Sequence, residues 1–149
     1  MFSKKLMAGW GDMDFNSHMR NTAFLDKSGD VRMFFLSEHG FPMSEFMRLN
    51  IGLVVMKDEI SYFKEVLLLE EITVTLGLAG LAEDGSRWIL RSDIIRPDGK
   101  LAARVNSTGG WLDLAARKLI APPPALMATW QALDKSDDFQ ELPSSVKGK

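Results

Sequence analysis

Between Gly52 and Leu114 the chain alternates apolar and polar residues with a period of two, and two aspartate-glycine turns cut the run into strand-sized lengths. From Gly52 to Leu69, Val54, Met56, Ile60, Tyr62 and Val66 share one parity, while Lys57, Glu59, Ser61 and Glu65 share the other. Successive strand residues face opposite sides, so this pattern predicts a half-buried strand. Ile72, Val74, Leu76 and Leu78 repeat it. Glu83-Asp84-Gly85-Ser86 and Pro97-Asp98-Gly99-Lys100 are turns with a mechanism: aspartate bonds nearby backbone and glycine accepts positive φ. They predict an antiparallel meander with strands near Arg87 to Arg96 and Leu101 to Ser107. Gly109-Gly110 predicts a bulge or bend before Trp111 to Leu114.

The preceding region carries a different period. A short strand is expected around Lys4 to Trp10. From Thr22 to His39, Phe24, Leu25, Val31, Phe35 and Leu36 fall on one helical face, and Gly40 supplies a stop. Gly29 inside this helix costs about 1 kcal/mol relative to alanine, which close approach of the helix to a sheet would offset. Pro42 to Leu49 predicts a second short helix, and Ala125 to Leu133, after Pro122-Pro123-Pro124, a third with Leu126, Trp130 and Leu133 on one side. Residues 134–149 lack apolar periodicity and are expected to form a polar, mobile tail beyond a single domain of residues 1–133. One long helix before about five antiparallel strands predicts an α+β layer in which the sheet covers the helix.

Chemistry is concentrated just before that helix. Gly11 to Asn21 gathers two carboxylates, two carboxamides, a hydroxyl and one of the two histidines. Asp14, Asn16 and His18 alternate with Phe15 and Ser17, so an extended or turn-like backbone holds the three polar groups on one side. A helix starting after them aims unpaired N–H groups and a positive dipole end at the same spot. A carboxylate, a histidine and a helix N-terminus together suit attack on a carbonyl and stabilisation of the oxyanion. The same residues also serve plainer ends, since Asp and Asn before helices commonly form Asx turns and caps. Asp12-x-Asp14-x-Asn16 imitates the opening of a calcium loop, but Ser17 replaces its glycine and Ala23 its bidentate glutamate. His18 and His39 are too isolated for a zinc site.

Composition narrows the class. With 149 residues and 46% hydrophobic content the chain suits one domain with a real core. The formal net charge is −2 with both signs dispersed, which leaves neither a basic stripe for nucleic acid nor a polybasic membrane anchor. The absence of cysteine excludes disulfides and thiolate chemistry and makes a reducing cytoplasm the simplest compartment. Apolar runs too short for a signal peptide or a bilayer span point to a soluble, intracellular chain.

The order of elements, with Asp12-Met13-Asp14-Phe15-Asn16-Ser17-His18-Met19-Arg20-Asn21, resembles the hotdog-fold thioesterases of the 4-hydroxybenzoyl-CoA and acyl-CoA thioesterase type. Asp14, Asn16, His18 and Asn21 match the Asp-x-Asn-x-His-x-x-Asn segment of plant acyl-ACP thioesterases, and Asp30-Val31-Arg32 matches an acidic-x-Arg element. Ser17 and Arg20 stand where many relatives have glycine and a second asparagine. Ser61 replaces an acidic residue before the second-strand aromatic, with Glu59 on the same face as its stand-in. The resemblance implies a sheet wrapped around one long central helix, with subunits joined edge to edge as a homodimer or dimer of dimers and sites at the subunit boundary.

It further implies hydrolysis of acyl-CoA, or of acyl carrier protein thioesters, as in fatty acid metabolism, with no cofactor beyond the coenzyme A of the substrate. Asp14 would act as general base or as nucleophile, Asn16 and His18 would orient it, the water or the carbonyl, and amides near Met19 to Thr22 would polarise the carbonyl. Met19, Asn21, Glu59 and Ser61 would contact substrate. Arg91, Arg96, Arg104, Arg117 and Lys118 are candidates for the coenzyme A phosphates, and Phe24, Met33, Phe34, Phe35, Met43, Phe46 and Met47 for an acyl tunnel or the core. A hotdog dehydratase or hydratase is a second reading, though Ser-His-Met and Glu-His-Gly lack the framing of those groups' histidines. A non-catalytic acyl-CoA binding module is a third.

Overall fold

The computed structural model describes residues 1–148. The chain runs β1 (Phe2–Met7), α1 (Asn21–Glu38), α2 (Met43–Leu49), β2 (Ile51–Tyr62), β3 (Glu71–Ala82), β4 (Arg87–Ile95), β5 (Leu101–Asp113), β6 (Lys118–Ile120), α3 (Pro124–Gln131) and β7 (Lys135–Leu142). One sheet holds all seven strands in the order β1-β3-β4-β5-β2, with β6 added to β5 and β7 to β3. Every pairing is antiparallel except β3 with β7. The α+β architecture expected from the sequence is therefore present, with α1 packed against β1, β3 and β5.

α1 buries Ala23, Phe24, Ser28, Val31, Phe35 and Leu36, a spacing that places them along one helical face. Buried Ser28 is satisfied by donating to the Leu25 carbonyl at 2.7 Å. The helix stops where expected: His39 is its C-cap and Gly40 follows at φ 87°. Gly29 does not have the expected close neighbour, because a Cβ there would meet nothing within 4 Å among the described residues. Beyond α1, Trp88, Trp111 and Trp130 are fully buried with Phe35 and Phe46, ring centroids 5.4–6.1 Å apart. This aromatic plug fills the core at the end of the sheet opposite the α1 N-terminus.

Three boundaries differ from the periodicity. β2 ends at Tyr62, since the amides of Phe63 and Lys64 both turn onto the Ala102 carbonyl at 2.8 and 3.1 Å. Residues 63–70 form a loop across the start of α1, with Leu69 at φ 68° before β3 begins. Gly109-Gly110 does not break β5. The irregularity lies opposite, between Val55 and Lys57, and glycine is required at 109 because a Cβ would collide with the Trp88 ring and the Val54 carbonyl. Residues 135–142 are not a loose tail but β7, with Leu142 against Gly80 and Phe139 packed on the core. Bidentate bonds from Arg91 to Asp138, at 2.8 and 2.9 Å, tie it to the outer face of β4.

Candidate active site

The approach to α1 is a clamped loop. The amides of Ala8 and Leu69 bond the carbonyls of Glu70 and Ala8 at 2.9 and 2.7 Å, fixing the exit of β1. The Asp12 carboxylate accepts from the Gly9 amide at 2.9 Å and lies 2.8 Å from the Lys27 ammonium of α1. Burial opposes ionisation of Asp12, yet the Lys27 hydrogen bond and the Gly9 amide prevail and hold its carboxyl below the ordinary range. Asp12 is thus committed to the loop.

The chain then folds back on itself. Met13 and Met19 form a bridge, and the Asp14 amide donates to the His18 carbonyl at 2.7 Å. Ser17 takes φ 64° to close the turn. Asp14 Oδ1 accepts the amides of Asn16 and His18 at 2.8 and 3.1 Å. The carboxylate is therefore fixed by one oxygen, and among the described residues Oδ2 has no hydrogen-bond partner.

The loop after β2 supplies the facing wall. The Met19 amide donates to the Val66 carbonyl at 2.7 Å and His18 bridges Leu67, so the two segments run side by side. His18 Nε2 lies 3.1 Å from Glu65 Oε2. Tyr62 donates its hydroxyl to the Asn21 carbonyl at 3.0 Å and meets Phe24 edge-on, with centroids 5.5 Å apart. Burial pushes the Tyr62 phenol up, which keeps it a hydrogen-bond donor at neutral pH. Asp14, His18, Met19, Asn21, Phe24 and residues 62–65 enclose an open cleft of about 400 Å³.

The N-terminus of α1 faces this cleft. Its N-cap is Arg20, which makes no side-chain cap. The Arg20 guanidinium instead bonds the Gly11 carbonyl and, at 3.0 Å, the Thr22 hydroxyl. None of Asp14, Asn16 and Asn21 caps the helix. The first-turn amide of Asn21 thus keeps the unpaired character of a helix start, in a cleft that Asp14 and His18 also line. Such an arrangement can bind a carbonyl oxygen, strengthen as that oxygen gains charge, and present a base to the carbon.

The residues singled out in the sequence divide accordingly. Asp14, His18, Met19 and Asn21 line the cleft. Asn16 contributes its backbone amide to Asp14, and its side chain is not part of the lining. Glu59 and Ser61 alternate with Tyr62 and so face the other side of β2, where Glu59 pairs with Lys57 at 2.9 Å. Arg91, Arg96 and Arg104 are paired with Asp138, Asp98 and Asp93. Arg117 and Lys118 line a separate groove with Lys147. Phe24, Phe35 and Phe46 are core, whereas Met33, Phe34, Met43 and Met47 are exposed. Tyr62, Phe63, Lys64 and Glu65 are the cleft residues not anticipated. Their one signal is the Tyr62-Phe63 pair, two adjacent aromatics that break the alternation.

Among solved structures, a Staphylococcus aureus protein in complex with CoA superposes with a TM-score of 0.82 at 21% identity, covering 99% of this chain and 92% of that one. A 1,4-dihydroxy-2-naphthoyl-CoA thioesterase from Synechocystis gives 0.80 at 16% identity over 89% and 96% of the two chains. YbaW, a probable thioesterase from Escherichia coli, gives 0.75 at 24% identity over 90% and 100%. At these identities the likeness shows a shared hotdog fold. No curated relative matches the chain. Residues 8–130 match the model of the thioesterase-like superfamily, and the chain belongs to that superfamily.

Proposed function

We propose that this protein hydrolyses acyl-CoA thioesters without a cofactor, at the cleft between the α1 N-terminus and the loop after β2. The observation that carries this reading is the uncapped start of α1 at the cleft that Asp14 lines, where Asp14 Oδ1 is fixed by two amides and Oδ2 is unengaged among the described residues. In the simplest course, water attacks the thioester carbon as Asp14 takes its proton, and the oxyanion forms against the amides of Asn21 and Thr22. Collapse breaks the C–S bond, and the departing thiolate recovers the proton. Direct attack by Asp14 through a transient anhydride uses the same geometry; a single turnover in ¹⁸O-water that labels Asp14 and leaves the released acid unlabelled identifies it, as water then opens the anhydride at the Asp14 carbon. Membership of the superfamily and the CoA bound by the Staphylococcus aureus neighbour support the substrate class.

The site is proposed to be completed by a second subunit. β2 is the end strand of the sheet and carries exposed Val55 and Met56 near its middle. On the opposite edge β1 is half as long and carries Lys4 and Lys5, which discourage pairing, and β7 continues that edge along β3. Antiparallel pairing of two β2 strands would bring a partner up to the open side of the cleft. A panel of short, long and aromatic acyl-CoA esters with a thiol-detecting dye tests the activity. Thiol release that scales with enzyme supports hydrolysis, whereas binding without release supports a binding module.

A further inference from the structure

We infer that Glu65 is a positioning residue that selects one neutral tautomer of His18, a residue of the cleft lining, leaving Nδ1 of that ring as its proton acceptor. Nothing in the spacing of the sequence joins these two residues, which lie 47 positions apart.

The geometry is specific. Glu65 Oε2 lies 3.1 Å from Nε2 of His18. An ionised carboxylate can only accept, so the proton of a neutral imidazole belongs on Nε2 and the lone pair on Nδ1. His39, the only other histidine, has the opposite arrangement. Its Nδ1 lies 2.8 Å from the Phe35 carbonyl, which likewise only accepts, so there the proton belongs on Nδ1. One chain thus holds its two imidazoles in opposite tautomers.

Both partners of the His18 pair are partly exposed, and a loose surface pair would fix little. Here the backbone on each side is held. The Asp14 amide bonds the His18 carbonyl at 2.7 Å, and the His18 amide bonds Asp14 Oδ1 at 3.1 Å. Arg96 donates to the Glu65 carbonyl at 3.2 Å, and the next residue, Val66, accepts from Met19 at 2.7 Å. Glu70 Oε1 takes the Leu67 amide at 2.6 Å and closes the loop behind it. The His18–Glu65 hydrogen bond therefore joins two segments already locked in register, so ring orientation costs little further entropy. Asp14 and His18 then act on one water from different directions, one as base and the other as acceptor that aligns it. Only this last step rests on the hydrolase reading.

The test uses ¹⁵N-imidazole NMR of the full chain at about pH 8.5, above the ordinary imidazole range. With two histidines, a His39→Gln variant assigns the spectrum. The wild type is expected to show His18 protonated at Nε2 and His39 at Nδ1. Glu65→Ala is expected to give His18 a mixture of tautomers with His39 unchanged, which also reports that the fold is intact. Steady-state kinetics of the same variant is expected to show kcat on acyl-CoA lowered about tenfold or more, with KM within about twofold and Glu65→Asp partly restored. A wild-type His18 protonated at Nδ1, or a tautomer untouched by Glu65→Ala, overturns the inference. Unchanged kcat in Glu65→Ala overturns the positioning role. If the wild type releases no thiol from any ester yet shows the expected tautomers, the hydrolase reading fails and the structural inference stands.

Discussion

Lys27, in the second turn of α1, reaches back to Asp12 with its ammonium 2.8 Å from the carboxylate, and also donates to the Met7 carbonyl at 3.1 Å. One side chain thereby joins β1, the site loop and the central helix. Because Asp12 is held below the ordinary carboxylate range when folded, its contribution is complete above about pH 4, the unfolded range, and fades as pH falls through the folded value. A double-mutant cycle of Asp12→Asn and Lys27→Met is expected to give a coupling of about 1 kcal/mol at pH 7 in chemical denaturation. At about pH 3 the coupling should shrink. A coupling that persists undiminished in acid would remove the ion pair from the account of the loop.

Asp14 carries two separable duties, because Oδ1 holds the turn while the residue also lines the cleft. Asp14→Asn keeps an oxygen for the Asn16 and His18 amides while removing the charge, so turnover is expected to fall by at least ~10² with melting temperature nearly unchanged. Asp14→Ala also frees those amides and is expected to lower stability by about 1 kcal/mol as well. Wild-type turnover in Asp14→Asn would exclude the carboxylate from the chemistry. Equal stability of the two variants would exclude its role in the turn.

The contrast between α1 and the loop after β2 shows what the sequence could convey. α1 was legible because its signals are local: the Phe24, Val31, Phe35 and Leu36 stripe and the Gly40 stop both lie within the element. The end of β2 was not, since Val66 keeps the parity of Ile60 and Tyr62 while the structure turns at Phe63. That turn is decided by the Ala102 carbonyl and by the pairing of Val66 with Met19, partners 39 and 47 residues away. The same applies to the site. Asp14, His18, Met19 and Asn21 sit in one dense segment, whereas Tyr62 and Glu65 reach it only through tertiary pairing. β7 was missed for a related reason: with one parallel neighbour and a polar sequence, it is held by Arg91 and by packing of Leu142 and Phe139 rather than by an alternating pattern.

Two backbone positions should answer to single substitutions in opposite ways of acting. Ser17 pays for φ 64° as an L-residue, and Ser17→Gly relieves that strain against a larger unfolded-state entropy, for an expected net gain of about 0.5 kcal/mol. Gly29 sits in mid-helix at ordinary φ with open space where a Cβ would go. Gly29→Ala is expected to stabilise by about 1 kcal/mol through helix propensity alone. Denaturant midpoints with unchanged m-values check both. A destabilised Gly29→Ala would mean that something outside the chain covers that face of α1.

The open edge of β2 makes the last prediction. Val55 and Met56 are exposed on a twelve-residue end strand, an arrangement that isolated soluble domains avoid because it invites pairing. Two copies joined through this edge by a two-fold axis would bury each substituted position twice, once from each subunit, so one added charge counts twice. Val55→Lys with Met56→Lys is therefore expected to weaken association by about 10²-fold or more, converting a dimer into monomers at micromolar concentration in light-scattering or sedimentation measurements. If the cleft is completed across that boundary, thiol release should fall in step with the monomer fraction and recover at high protein concentration. A wild-type chain that is monomeric at high concentration, or a monomeric variant with full turnover, would place the whole site within one subunit.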